Sequence, residues 1–201
     1  YKTTDGAKTW DELIIRAKPG YFAILLTDIQ FVNDDIGFCS GYEYNNNVEQ
    51  GFILKTVDRG NTWEKININD KLSGCLQINF VDEYNGWVIT KNSLLKTTDQ
   101  GDSWIKQVPD KEKYNRRAYF ADKNHGWLIQ SSISSYEESP NDIVVKTTDG
   151  GESWKELLLT DTYYYNSVTY MDMFFLNKNT GWVLGRSGNL LKTTTGGKVV
   201  K

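Results

Sequence analysis

The chain has 201 residues, 39% of them apolar and 13% aromatic, which is enough to bury a core, and no linker or low-complexity tract divides it. A net charge of −3 with scattered basic residues provides no clustered cationic footprint, which argues against a nucleic-acid partner. No run of about 18 apolar residues is present to span a membrane.

The first element is the phrase KTTDGAKTW from Lys2. It returns as KTVDRGNTW from Lys55, KTTDQGDSW from Lys96, KTTDGGESW from Lys146 and, decayed, KTTTGGKVV from Lys192, at spacings of 41 to 53 residues. One small unit is therefore copied and stacked. A second phrase recurs between the copies: IQFVNDDIGFCSG from Ile29, INFVDEYNGWVIT from Ile78, AYFADKNHGWLIQ from Ala118 and MFFLNKNTGWVLG from Met173. Each is an apolar strand, a polar turn closed by Gly and another apolar strand, which predicts a hairpin. A third strand ends at the Lys-Thr of the motif, and a fourth starts at its Trp. No segment has the apolar spacing of a helix. Units of four short antiparallel strands, a to d, repeated in this way predict an all-β fold, a β-propeller of four-stranded blades in a single domain over 1–201. Four complete blades start near Tyr21, Gly74, Arg117 and Val168. Residues 1–16 hold an orphan strand d around Trp10 to Ile15. Either it pairs with the last blade and closes a four-bladed ring, or the blades belong to a larger ring. Closure leaves no long unpaired edge, yet Lys198 to Lys201 compete for that same edge.

The motif is the Asp-box, the repeat of bacterial neuraminidases, and its chemistry is that of a turn. Asp5, Asp58, Asp99 and Asp149 can accept backbone N–H groups of their own c-to-d turn, and Gly60, Gly101 and Gly151 permit a positive φ there. Trp10, Trp63, Trp104 and Trp154 start strand d, where an indole covers the hairpin and its N–H finds a carbonyl. Regular repetition makes these residues structural rather than catalytic. Ala7 replaces the turn Gly in the first copy, and Thr195 replaces the Asp in the last. Trp87, Trp127 and Trp182, with Phe38 in the equivalent place, are expected to pack between blades. His125 occupies a turn position filled by Asn85 and Thr180 elsewhere. With no second His, neither zinc ligation nor a Ser/His/Asp triad is available. No metal or other cofactor is expected. Cys39 and Cys75 read as two buried thiols, a disulfide being the alternative.

Function is sought where the repeats disagree, because loops carry it while the shared framework carries stability. Between strands b and c the first and third blades have long insertions, GYEYNNNVEQ from Gly41 and SSISSYEESPND from Ser131. The d-to-a connections DKEKYNRR from Asp110 and DTYYYNSV from Asp161 lie on the same face. That face gathers Tyr42, Tyr44, Asn45 to Asn47, Tyr114, Arg116, Arg117, Tyr136, Tyr163, Tyr164, Tyr165 and Arg186. Tyr and Arg give interfaces large buried area with hydrogen-bonding tips, and they also suit sugar rings. Glu137, Glu138 and Asp142 read as a solvated loop, with calcium the alternative.

GWVLGRSGNLLKTTTGG and GWVITKNSLLKTTDQGDSW resemble the repeat of the photosystem II stability and assembly factor family of propellers, over nearly the whole chain. The resemblance implies a non-catalytic scaffold that holds protein partners through an arginine-bearing patch, and an extracytoplasmic location. Protein is thus the expected partner, with glycan as the second. The other family with Asp-boxes, the sialidases, implies a glycoside hydrolase with three converging arginines, a Tyr nucleophile with its Glu, and an Asp acid/base. Here Arg59 lies in an acidic turn and Arg16 follows the orphan strand. Of the remaining Arg116, Arg117 and Arg186, the first two are adjacent, so on a strand they would point to opposite faces.

Overall fold

The computed structural model describes residues 1–16, 23–45, 48–66, 72, 74–107, 113–132, 142–158 and 169–199. Within them the chain is all-β and β-propeller-like, with one 3₁₀ turn at Arg186–Gly188 and no α-helix. The first sheet takes β1 (Ala23–Phe31), β2 (Gly37–Asn45), β3 (Val48–Thr56) and β4 (Glu64–Lys65) in that order. The second takes β5 (Cys75–Phe80), β6 (Gly86–Thr90), β7 (Leu94–Thr97) and β8 (Ile105–Gln107). The third holds β9 (Lys113–Phe120), β10 (Gly126–Ser132), β11 (Asp142–Thr147) and β12 (Lys155–Leu158). The fourth holds β13 (Tyr170–Phe175), β14 (Gly181–Gly185) and β15 (Leu190–Thr193). All neighbouring pairs are antiparallel.

The sequence alternation explains which strands are buried on which face. In β5, Cys75, Ile78 and Phe80 point inward, whereas β6 is buried at every residue of GWVIT. A strand buried on both faces needs a sheet on each side, and the apolar clusters supply them. Phe38 and Ile53 of the first sheet pack on Cys75, Ile78 and Phe80 of the second. Trp87 and Ile89 pack on Ala118 and Phe120 of the third, and Trp127 and Ile129 on Met173 and Phe175 of the fourth. Each joint is built on one aromatic stack: Phe38 on Phe80 at 4.2 Å, Trp87 on Phe120 at 3.7 Å and Trp127 on Phe175 at 3.5 Å. The indole N–H of Trp87 then donates to the carbonyl of Gly150, and that of Trp127 to Gly196, tying strand b to the c-to-d turn of the following sheet. Burying one such ring removes about 150–250 Å² from water, worth roughly 4–6 kcal/mol at 25 cal/mol per Å².

Three features differ from expectation. GYEYNNNVEQ is mostly strand rather than loop: β2 and β3 continue their ladder out to Asn45↔Val48. Val and alternating Tyr suit a pleated hairpin, and the pairing propagates along them. Asp142 lies in β11 with its carboxylate wholly buried, not in a solvated loop. The residues Lys198–Val199 form a strand, β16, that pairs with β12 of the third sheet and not with β15 of the fourth. The segment 1–16 lies against the first sheet. Lys2 bridges Asp11 and its ammonium donates to the Asn61 side chain at 2.5 Å, while Ile15 packs on the cluster of Cys39, Phe52 and Leu54. Both cysteines are free and buried; burial pushes the Cys39 thiol up to about 11 and that of Cys75 to about 12.

Candidate functional site

At one end of each of the first three sheets sits the recurring acidic turn, and a further copy lies in the segment before them. The Asp58 carboxylate accepts the Thr62 N–H at 2.9 Å, the Thr62 hydroxyl at 2.7 Å and the Thr56 hydroxyl at 2.8 Å. The Thr56 oxygen in turn accepts the Gly60 N–H at 2.9 Å. The arrangement repeats at Asp99 with Thr97, Gly101 and Ser103, at Asp149 with Thr147, Gly151 and Ser153, and at Asp5 with Thr3, Ala7 and Thr9. The turn requires positive φ at its sixth position, 74° at Gly60, 79° at Gly101 and 97° at Gly151, and Ala7 adopts 69° there against its own steric preference. The Thr62 N–H and hydroxyl hold Asp58 near a pKa of about 2. Asp149 also lies at about 2: partial burial pushes it up, but the Ser153 hydroxyl and N–H outweigh that. Trp104 and Trp154 donate their indole N–H to the carbonyls of Gly101 and Gly151 within the same turns. In the decayed copy Thr193 still accepts the Gly197 N–H, but Thr195 supplies no carboxylate.

Each of these aspartates is spent on its own turn, and the four stand on separate repeats. Among the described residues no group of three His, Cys, Asp or Glu side chains comes together to hold a metal ion. His125 has a comparable fate. Its Nδ1 lies 2.9 Å from Asp122, whose carboxylate also accepts the N–H groups of Asn124 and His125, so the pair closes the a-to-b turn.

At the opposite end of the sheets lie the described members of the predicted binding face. Tyr42 and Tyr44 are near the end of β2, Tyr114, Arg116 and Arg117 at the start of β9, and Arg186 just beyond β14. They therefore share one end but stand on three sheets. Tyr136, Tyr163, Tyr164, Tyr165, Asn46 and Asn47 lie outside the described residues. Tyr44, Tyr114, Arg117 and Arg186 are exposed, while Tyr42 and Arg116 are half-buried.

A bulge that sequence reading missed governs this end. In β9 the pairing passes from Arg117↔Ile129 to Asn115↔Gln130, leaving Arg116 as the extra residue. Thr27, Leu76 and Met171 are the extra residues at the same place in β1, β5 and β13. A bulge re-aims the side chain it carries. Thr27 thereby reaches the carbonyl of Cys75 in the next sheet. Arg116 turns toward Ser131 at 3.2 Å and toward buried Asp142, Nε to Oδ1 at 3.3 Å. The other oxygen of Asp142 accepts the Tyr170 N–H at 2.8 Å, so this carboxylate joins the third sheet to the fourth. Burial pushes its pKa up, against the opposing pull of Ser131, Tyr170 and Arg116. The buried amide of Asn115 likewise donates to the carbonyls of Thr90 and Ser93 and accepts from Gln130, joining the second sheet to the third. The only sequence signal for either network is a polar residue at an inward position of a strand.

With this geometry in place, comparison with known proteins gives a consistent direction. No family model matches the chain. It is 24% identical over 201 residues to the photosystem II assembly lipoprotein Ycf48 of Prochlorococcus marinus, across 96% of this chain and 53% of that protein. It is 38% identical over 84 residues to the photosystem II stability/assembly factor HCF136 of Guillardia theta, 40% of this chain and 18% of that one. The solved structure of YCF48 from Cyanidioschyzon merolae superimposes with a TM-score of 0.58 at 18% identity, covering 84% of this chain and 50% of that chain. The chain thus shares the fold of that structure, and it spans about half the length or less of the curated relatives it matches. Among the described residues no helix is long and apolar enough to cross a membrane.

Proposed function

We propose that this chain is a non-catalytic β-propeller scaffold of assembly-factor type, whose recurring turns are Asp-boxes and whose variable end binds a protein partner. In this reading the four blades starting near 21, 74, 117 and 168 form one domain, and the protein works outside the cytoplasm. The observation that carries it is the division of labour between sheet ends. The recurring aspartates Asp5, Asp58, Asp99 and Asp149 are each consumed in their own turn, whereas Tyr44, Tyr114, Arg117 and Arg186 remain exposed at the other end. The similarity to photosystem II assembly factors over 96% of the chain points the same way. A sialidase reading is disfavoured by Arg116, which is directed at Asp142 and so withdrawn from any three-arginine clamp.

The test is cross-linking in native extract with the intact chain as bait, followed by identification of the captured protein. One recurrent partner, lost with Arg117→Ala plus Tyr114→Ala in a fold-preserved protein, is the expected result. Hydrolysis of a fluorogenic sialoside that disappears in Arg117→Ala would overturn the scaffold reading.

A further inference from the structure

Three of the four strand-a bulges carry an uncharged side chain, Thr27, Leu76 and Met171, and only the third sheet places a cation there, Arg116. The same sheet is also the one with an acid five residues before the motif Thr: Asp142 stands where the other sheets have Gly51, Asn92 and Gly188. Two departures from the repeat thus fall in one sheet, and they meet in space. The Arg116 side chain is 39% exposed and that of Asp142 is 0% exposed, so a cation with access to water faces a carboxylate that has none.

The two oxygens of Asp142 are not equivalent. Oδ2 accepts the Tyr170 N–H at 2.8 Å across the joint between the third and fourth sheets. Oδ1 has no hydrogen bond among the described residues; Arg116 Nε lies 3.3 Å from it as an ion pair without hydrogen-bond alignment. Arg116 is otherwise held by one neutral contact, Nη2 donating to the Ser131 hydroxyl at 3.2 Å. Among the described residues Arg116 faces the carboxylate from β9, Ser131 from β10 and Tyr170 from β13, and only Arg116 is charged. Burial, and then Asp142, push the Tyr170 phenol above its ordinary value, so it stays neutral as the pH falls. Burial likewise pushes Asp142 above the ordinary carboxylate value of about 4.

We propose that Asp142 and Arg116 form a proton-controlled catch: protonation of Asp142 at Oδ1 releases the Arg116 guanidinium into the variable end that bears Arg117, while the third and fourth sheets stay joined. The proton goes to Oδ1 because Oδ2 is already engaged, and the neutral acid keeps accepting the Tyr170 N–H through Oδ2. Arg116 keeps its charge throughout, so what it loses is its counter-ion. The Ser131 hydroxyl alone is a neutral and weaker partner for a guanidinium that already reaches water. The linkage sign agrees. A carboxyl raised in the folded chain favours its protonated form there, so folding is strengthened, not lost, as the pH falls through the folded value. In that range Asp58 and Asp149, at about 2, remain ionised and the acidic turns hold. The variable end thus gains one uncompensated positive charge on an intact sheet. This catch rests on the reading of that end as the partner-binding surface, and it places that surface under control by pH.

The test is an NMR titration of the intact chain from neutral pH down to about pH 4, following the Asp142 carboxyl carbon and Arg116 Nε. Asp142 is expected to titrate with a midpoint above about 4, and Arg116 Nε should shift with the same midpoint. In Asp142→Asn the Arg116 signal should sit at its acid position at every pH. An Arg116 signal that ignores the titration of Asp142, or an Asp142 midpoint at or below about 4, overturns the proposal, and neither result needs a variant that folds. Capture of the partner from extract, repeated at both ends of the range, should change with pH in the unmutated chain and change less in Asp142→Asn. Capture that is the same at both, although Arg116 is released, would overturn the control of binding. The two readings fail separately. A still Arg116 in a chain that captures its partner sinks the catch alone, whereas a released Arg116 in a chain that captures nothing supports the catch and counts against the scaffold.

Discussion

The two ends of each sheet use the same residue types in opposite ways. At the acidic-turn end Asp, Thr and Trp recur in register, and the Asp and Thr side chains, with the indoles of Trp87, Trp104, Trp127 and Trp154, find partners within the turn or the adjoining sheet. At the other end the residues differ from sheet to sheet: the bulge position alone carries Thr27, Leu76, Arg116 and Met171. Repetition therefore marks where stability is held, and divergence marks where surface chemistry is free to vary. Arg116 shows that divergence is not sufficient. It lies at the variable end, yet its guanidinium faces a buried carboxylate and so belongs partly to the framework.

The largest expected effect comes from the repeated side of this contrast. Trp127→Ala removes a fully buried indole, its stack on Phe175 and its hydrogen bond to Gly196. Chemical denaturation should show a loss of about 3–5 kcal/mol. Next is Arg116→Ala, which strands the buried Asp142 carboxylate and should cost about 1–3 kcal/mol. In a double-mutant cycle Asp142→Asn should recover much of that loss, because the amide needs no counter-charge. Additive losses would show that the ion pair does not couple the two residues. Thr97→Val keeps the shape of its buried side chain but leaves the Gly101 N–H without its acceptor, for an expected cost of about 1–2 kcal/mol.

Much of this pattern was legible in the chain itself. The hairpin phrases located the a-to-b turns, and the repeated Asp and Gly foretold carboxylate acceptance and positive φ, because both depend on neighbours within five residues. What stayed hidden depends on neighbours far along the chain. The bulge that redirects Arg116 is set by the pairing of β9 with β10, and its partner Asp142 looks like one more loop acid until β11 buries it. The continuation of β2 to Asn45 and of β3 from Val48 was obscured because Asn is a turn signal.

Acid should separate the two ends without mutation. Asp58 and Asp149 titrate at about 2 in the folded chain, below the ordinary carboxylate value near 4 that they regain on unfolding. A depressed folded pKa contributes stability that is complete above the unfolded value and is lost as pH falls through the folded one. Thermal melts should therefore drop between about pH 4 and about pH 2. Asp142 has the opposite sign, since its raised pKa makes its ionisation unfavourable to folding. Asp142→Asn should leave the acid-induced fall in place, and Asp99→Asn should shrink it.

The smallest expected effect on stability is the most informative about function. Arg117 is exposed, follows the bulge and has no ion-pair partner among the described residues, so Arg117→Ala should change stability by no more than about 0.5 kcal/mol. Tyr114, also exposed, should behave alike. If the variable end is a binding surface, the pair of substitutions weakens capture of the partner while the melting curve stays in place. Arg116→Ala cannot make that distinction, because lost binding and a loosened third sheet would arrive together. A partner retained by Arg117→Ala plus Tyr114→Ala, but lost on disrupting an acidic turn with Asp149→Ala in a still-folded chain, would move the binding surface to the repeated end and reverse the assignment of roles.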